Sequence, residues 1–92
     1  MALGVLARLS DRRIDVPLEI SVVGFDDIPL ASLSAPRLTT VSLPLEQAGR
    51  SLLELLLHPQ TDGQGSAVPC GRLLPVWLVI RSSTAPVRRA RT

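Results

Sequence analysis

The sequence predicts an α/β chain of parallel strands with flanking helices, and three observations carry that expectation. Residues 18–25 form a near-continuous apolar run around Ile20, Val22 and Val23, the pattern of a strand covered on both faces, as parallel sheets produce. A helical pattern over residues 1–12 precedes this run, and helix, short loop and buried strand make half of a βαβ unit. A β-branched run over residues 38–43 is followed directly by a second helical pattern.

The elements follow in order. Leu3, Leu6 and Leu9 recur at three-residue steps, with Ala2 and Val5 between them, which predicts the first helix. The charged cluster at residues 11–13 ends it, and Pro17 forbids its continuation. Residues 26–36 read as a loop or short helical turn that Pro29 begins and Pro36 ends. Pro44 and Glu46 open the second helix, where a missing N–H and a negative charge are both favourable. Leu45, Ala48, Leu52, Leu55 and Leu56 are its expected buried stripe, His58 and Pro59 close it, and Gly49 inside it predicts close packing against a neighbour. Residues 60–71 are a Gly- and Pro-containing loop. Residues 73–82 read as a last strand, with Val76, Leu78 and Ile80 on one face and Trp77, Val79 and Arg81 on the other. Three strands and two helices do not close an independent doubly wound sheet, so the chain reads as truncated at its N-terminus, lacking the strand before the first helix.

Composition narrows the function classes. A hydrophobic content of 46%, with one Phe, one Trp and no Tyr, predicts a core of Leu, Val, Ile and Ala. No apolar run approaches the ~20 residues of a membrane span, and the start has no basic region of the kind that opens a secretion signal. Cys70 has no second cysteine to pair with, which fits a reducing cytoplasm. All ten basic residues are arginines, and three of them (Arg88, Arg89, Arg91) fall in the last five positions. The basic character therefore reads as a solvated tail and not as a nucleic-acid-binding face. Cys70 and His58 alone do not make a metal-ligand set.

The candidate site lies where the first strand stops. After Gly24 and Phe25 come two adjacent carboxylates, Asp26 and Asp27. Charge at the end of a buried strand is costly unless it is used, and open α/β sheets bind ligands beyond the carboxyl ends of their strands. Asp26 fits two readings: a ligand contact, or a strand-end cap that bonds nearby backbone N–H groups. General acid–base chemistry would need partners in reach; His58 sits at the far end of a Leu-rich helix and there is no lysine. Neither an enzyme nor a cofactor is expected.

The stretch VVGFDDIPLASLSAPRLTTV resembles the effector-binding domain of LacI/GalR-type transcriptional repressors. Four further segments resemble the same family in register: MALGVLARL, VPLEISVVGFDD, PLEQAGRSLLELLL and LLPVWLVIRSST. Together they cover residues 1–84 and leave residues 85–92 as a basic tail. The resemblance implies a type I periplasmic-binding-protein-like fold of two α/β lobes joined by three crossovers, of which this chain is a C-terminal part. Residues 1–36 would belong to the C-terminal lobe and residues 37–73 to a crossover and helix of the N-terminal lobe. Residues 74–84 would be the return strand. The family's helix-turn-helix lies far to the N-terminal side, so operator DNA would be met only through a domain missing here.

The resemblance also implies residue roles. Asp26 matches the position that contacts effector hydroxyls or ring nitrogens, Phe25 would supply an apolar wall, and Asp27 is a neighbour with a less direct role. Leu30, Ala31, Leu33 and Ser34 fall where subunits of a homodimer meet. Arg81 would stabilise the lobe as partner to a carboxylate or backbone carbonyl. The implied ligand is a small-molecule effector, a sugar by preference, in a cytoplasmic regulator that needs no cofactor, metal or membrane. The alternative is a piece of a periplasmic-type sugar-binding protein of a transport system, which shares the fold. Two positions depart from the family pattern: Arg13 stands where many relatives have Gly, and Leu43 where a polar residue, often Gln, is usual.

Overall fold

The structure, a computed structural model, describes residues 1–59, 61–65 and 71–88. Cys70 and the tail residues Arg89 and Arg91 lie outside these. The elements run α1 (Ala2–Asp11), β1 (Val23–Phe25), a 3-10 turn (Pro29–Ser32), β2 (Thr39–Ser42), α2 (Leu45–Leu57) and β3 (Trp77–Val79). Two compact units divide the chain: Met1–Ser42 together with the segment from Trp77 onward, and Leu43–Val76.

In the first unit, α1 presents Leu6 to the core, with Ala2, Leu3 and Leu9 packed around it. The helix ends in a Schellman motif: the Ile14 N–H donates to Leu9 O at 2.9 Å and the Arg13 N–H to Ser10 O at 3.0 Å. That geometry requires a left-handed residue at Arg13, whose φ is 57°. Glycine takes this conformation freely, whereas a chiral residue there costs about 1–2 kcal/mol.

β1 pairs with β2 in parallel (Val23↔Thr39, Gly24↔Thr40, Phe25↔Val41), which matches the expected parallel start. β3 instead runs antiparallel to β2 (Thr40↔Val79, Val41↔Leu78, Ser42↔Trp77), so the three-stranded sheet is mixed, in the order β1-β2-β3. A connection as long as residues 43–76 can return the chain in either sense, so the strand pattern alone does not fix direction.

The strands are also shorter than the apolar runs. Residues 15–20 close a turn instead, with Glu19 N–H and Ile20 N–H both donating to Asp15 O. Val22 is buried, but Val23 and Phe25 are more than half exposed. The coverage on both faces expected for this run is therefore absent among the described residues. The core of the unit is Leu6, Val22, Ala31 and Leu38.

In the second unit, α2 carries no buried residue. The expected stripe of Leu45, Ala48, Leu52, Leu55 and Leu56 is present as a pattern, but Leu45, Leu52 and Leu56 are each more than 60% exposed. Amphipathic spacing records which face is built for burial, not whether something covers it. The packing expected at Gly49 is likewise not found, since a Cβ there would meet nothing within 4 Å. Arg72 and Glu54 form an exposed ion pair at 2.7 Å, a contact of small energetic value.

The close approach that sequence reading placed at Gly49 occurs at Gly24. A Cβ there would lie 2.7 Å from Leu38 Cδ2 and 3.3 Å from Ala2 Cβ. Leu38 is 3% exposed and belongs to the core, so it must shift within packed surroundings. Gly24→Ala should therefore lower stability by about 1–3 kcal/mol through overpacking, while Arg13→Gly should raise it by about 1 kcal/mol by relieving the left-handed residue. Urea unfolding of the 92-residue chain, followed by circular dichroism, reads both, and a stabilising Gly24→Ala or a destabilising Arg13→Gly would refute this account of that position.

Candidate functional site

β1 delivers its carboxylates to the C-terminal end of the sheet. The Asp26 N–H donates to Val41 O at 3.0 Å and so extends the β1–β2 pairing by one bond. The chain then turns sharply, with φ of 83° at Asp26 and 48° at Asp27. Aspartate tolerates this left-handed region better than most chiral residues, yet two in succession persist only where surrounding bonds hold them.

The two carboxylates have different surroundings. Asp27 is part-buried: its Oδ1 accepts from Arg81 Nη2 at 2.8 Å, and its N–H donates to Thr40 Oγ1 at 3.2 Å. Side-chain exposure is 17% for Arg81 and 22% for Asp27. The same guanidinium donates through Nη1 to Leu38 O at 2.8 Å. Arg81 thus meets both kinds of partner expected of it, a carboxylate and a backbone carbonyl. Asp26 is exposed, and among the described residues no group bonds its carboxylate. With Phe25, which is 64% exposed, it lines a groove of about 690 Å3, along with Ala2, Val5, Ile20 and Val23. A free carboxylate beside an aromatic face accepts up to four hydrogen bonds and suits a ligand that pairs hydroxyls with an apolar side.

The residues expected at a subunit contact divide. Leu30 and Leu33 point outward, at 57% and 76% exposure, whereas Ala31 is 1% exposed and belongs to the core. Its N–H donates to Ile28 O and its carbonyl accepts from the Leu38 N–H; it is the buried residue of the 3-10 turn and is not available to a partner. Ser34 is half-buried, with its hydroxyl donating to Pro36 O at 2.8 Å. Ile28, 47% exposed beside Leu30, is an outward apolar residue that sequence reading did not single out.

Sequence reading also missed the hydroxyl network beneath the site. Thr39, Thr40 and Ser83 are the largest fully buried side chains. Ser83 Oγ accepts from the Thr39 N–H at 2.8 Å and donates to Val22 O at 2.6 Å, while the Val22 N–H donates to Ser83 O at 2.9 Å. Thr39 Oγ1 accepts from the Arg81 N–H at 2.9 Å and shares a 2.9 Å bond with Thr84 Oγ1. The signal available in sequence was the pair of polar runs, Thr39-Thr40 and Ser82-Ser83-Thr84, which read as ordinary strand and strand end.

Among the described residues, no group of three or more His, Cys, Asp or Glu side chains could hold a metal, and no helix is long and apolar enough to cross a membrane.

With this geometry in place, the relatives of the chain can be identified. The family model for the periplasmic binding protein-like domain matches residues 1–84, and the chain belongs to that family. Within it, the chain is part of a LacI-type effector-binding domain. It is 40% identical over 85 residues to the HTH-type transcriptional repressor CytR of Escherichia coli strain K12, covering 91% of this chain and 24% of CytR. It superposes on the Lac repressor dimer bound to operator and the anti-inducer ONPF with a TM-score of 0.73 at 37% identity, covering 90% of this chain and 28% of the repressor chain. A LacI-family regulator from Lactobacillus casei with bound sucrose matches at a TM-score of 0.66 and 34% identity, over 90% of this chain and 30% of that one. The chain thus spans roughly a fifth to a quarter of the length of the curated relatives it matches.

The hydroxyl network predicts a specific cost. Ser83→Ala removes one donor and one acceptor from a fully buried position and leaves the Thr39 N–H and Val22 O each short of a partner. A loss of about 1–3 kcal/mol is expected. Ser82→Ala, on an exposed neighbour, is expected to cost well under that. Equal losses for the two in urea unfolding would remove the network from its structural role.

Proposed function

We propose that this chain is the C-terminal part of the effector-sensing domain of a sugar-responsive, LacI-family transcriptional regulator acting in the cytoplasm, and that Asp26 is its effector-contacting carboxylate. The observation that carries the site assignment is the contrast between the two aspartates: Asp27 is engaged by Arg81, while Asp26 is exposed and unbonded among the described residues. Phe25 supplies the apolar wall beside it. The family membership and the sucrose-bound relative support a sugar as ligand.

In this reading the chain performs no chemistry. The regulator's effector binds two conformations with different affinity and so shifts the population between them, which is the whole of the signal. Leu30 and Leu33, with Ile28 beside them and Ser34 at the margin, form the face toward a second subunit. Operator contact belongs to a part of the regulator outside these residues. Residues 43–76, a compact unit of their own, belong with the other lobe, whereas residues 37–42, expected with them, group with β1 in the first unit.

One wall of a cleft makes only a fraction of a ligand's contacts. The isolated 92-residue chain is therefore expected to bind sugars more weakly than a Kd of about 1 mM, near −4 kcal/mol, and to give no gel shift with operator DNA. Titration of the 15N-labelled chain with ribose, glucose and sucrose should shift the Phe25 and Asp26 amides first, and Asp26→Ala should abolish that response. Shifts that leave residues 25–26 untouched, or tight calorimetric binding by the chain alone, would overturn the assignment.

A further inference from the structure

We propose that Arg81 is a positioning residue for Asp26: it sets the direction of that carboxylate without touching it, by fixing the backbone on its C-terminal side. This deepens the effector-contact reading and rests on it for its functional meaning, but the geometric claim stands on Arg81, Asp27 and β2 alone.

Asp26 sits between two anchors. On its N-terminal side, the β1–β2 ladder ends in its own N–H bond to Val41 O. On its C-terminal side, Asp27 is held by the Arg81 guanidinium at Oδ1 and by Thr40 Oγ1 at its N–H. With both neighbours fixed, the φ of 83° at Asp26 is the conformation that joins them. The guanidinium is fixed in turn. Its second nitrogen is committed to Leu38 O at 2.8 Å, and the Arg81 N–H is bonded to Thr39 Oγ1 at 2.9 Å.

Five bonds therefore link the return segment, β2 and the end of β1, two of them from the Arg81 guanidinium and one from its N–H. The planar fork serves two partners in fixed relative directions, which a lysine ammonium on a flexible stem cannot reproduce. The structure offers no second cation for Asp27: the other ion pairs among the described residues are Arg50–Glu46 and Arg72–Glu54, both in the Leu43–Val76 unit.

The test compares Arg81→Lys with Leu6→Ala in the 15N-labelled 92-residue chain. Leu6→Ala removes core packing from α1 without touching the Arg81 bonds. A residue at positive φ gives a strong intraresidue HN–Hα NOE, so the native chain should show it at Asp26 and Asp27. In Arg81→Lys the Asp26 NOE should weaken several-fold while the amide shifts of the core residues Leu6 and Ala31 stay native. In Leu6→Ala the Asp26 NOE should persist. Persistence of the NOE in Arg81→Lys, or its equal loss in both variants, overturns the positioning role. If Arg81→Lys does not fold, Asp27→Ala removes the same link from its other end, and retention of the Asp26 NOE there overturns the role equally.

A sucrose titration of the native chain and of Arg81→Lys separates the two claims. If Asp26 loses its geometry but native Asp26 shows no sucrose-dependent shift, the effector reading falls and the positioning role stands. If native Asp26 responds to sucrose and Arg81→Lys responds identically with its NOE intact, the positioning role falls and the effector reading stands.

Discussion

Ser83 is the point on which the first unit closes. Its backbone and hydroxyl together bond Val22, the residue just before β1, and Thr39, the first residue of β2, where the direct pairing of the two parallel strands begins. Without that bridge the first bonds of β1 and β2 would open onto unsatisfied backbone groups in a buried place, which proteins rarely tolerate. The apolar core around it comprises only Leu6, Val22, Ala31 and Leu38. In a unit this small, hydroxyl bonds carry a share of the organisation that side-chain volume carries in larger domains. The same junction places Arg81, two residues earlier, where it reaches Asp27 and Leu38 O, so the architecture of the sheet and the geometry of the candidate site share one origin.

The paired aspartates are unequal neighbours. Alternation along an extended chain would send consecutive side chains to opposite sides. Here the chain has already left the strand, and two left-handed residues in succession reorient both carboxylates. One is turned inward to an arginine and becomes part of the framework; the other is left facing solvent at the mouth of an apolar groove. The pair thus leaves one carboxylate bonded within the framework and the other exposed.

The exposed leucines of α2 and the half-covered β1 follow from the same principle at a larger scale. Leu52, Leu56, Val23 and Phe25 are spaced for burial and are more than half exposed in this chain. Family membership accounts for the spacing: relatives several times longer share this segment, and the pattern suits the whole domain.

The α/β class, the order of elements, the helical turn begun at Pro29 and the position of the two aspartates at a strand end were legible from sequence, because periodicity, proline placement and a charge after an apolar run are local signals. At Arg13 only the family resemblance drew notice, as a position where many relatives have Gly; the Schellman bonds themselves came with the structure. Tertiary structure alone decided the rest. The antiparallel sense of β3, the inward turn of Ala31, the close approach at Gly24 and the choice of Asp27 over Asp26 as partner for Arg81 all depend on contacts between residues more than a dozen positions apart or on which side of a turn faces the core. Local spacing says which residues can be buried or paired. Which of them are, and with whom, is settled when the return segment reaches Val22 and Thr39 and fixes the remaining bonds.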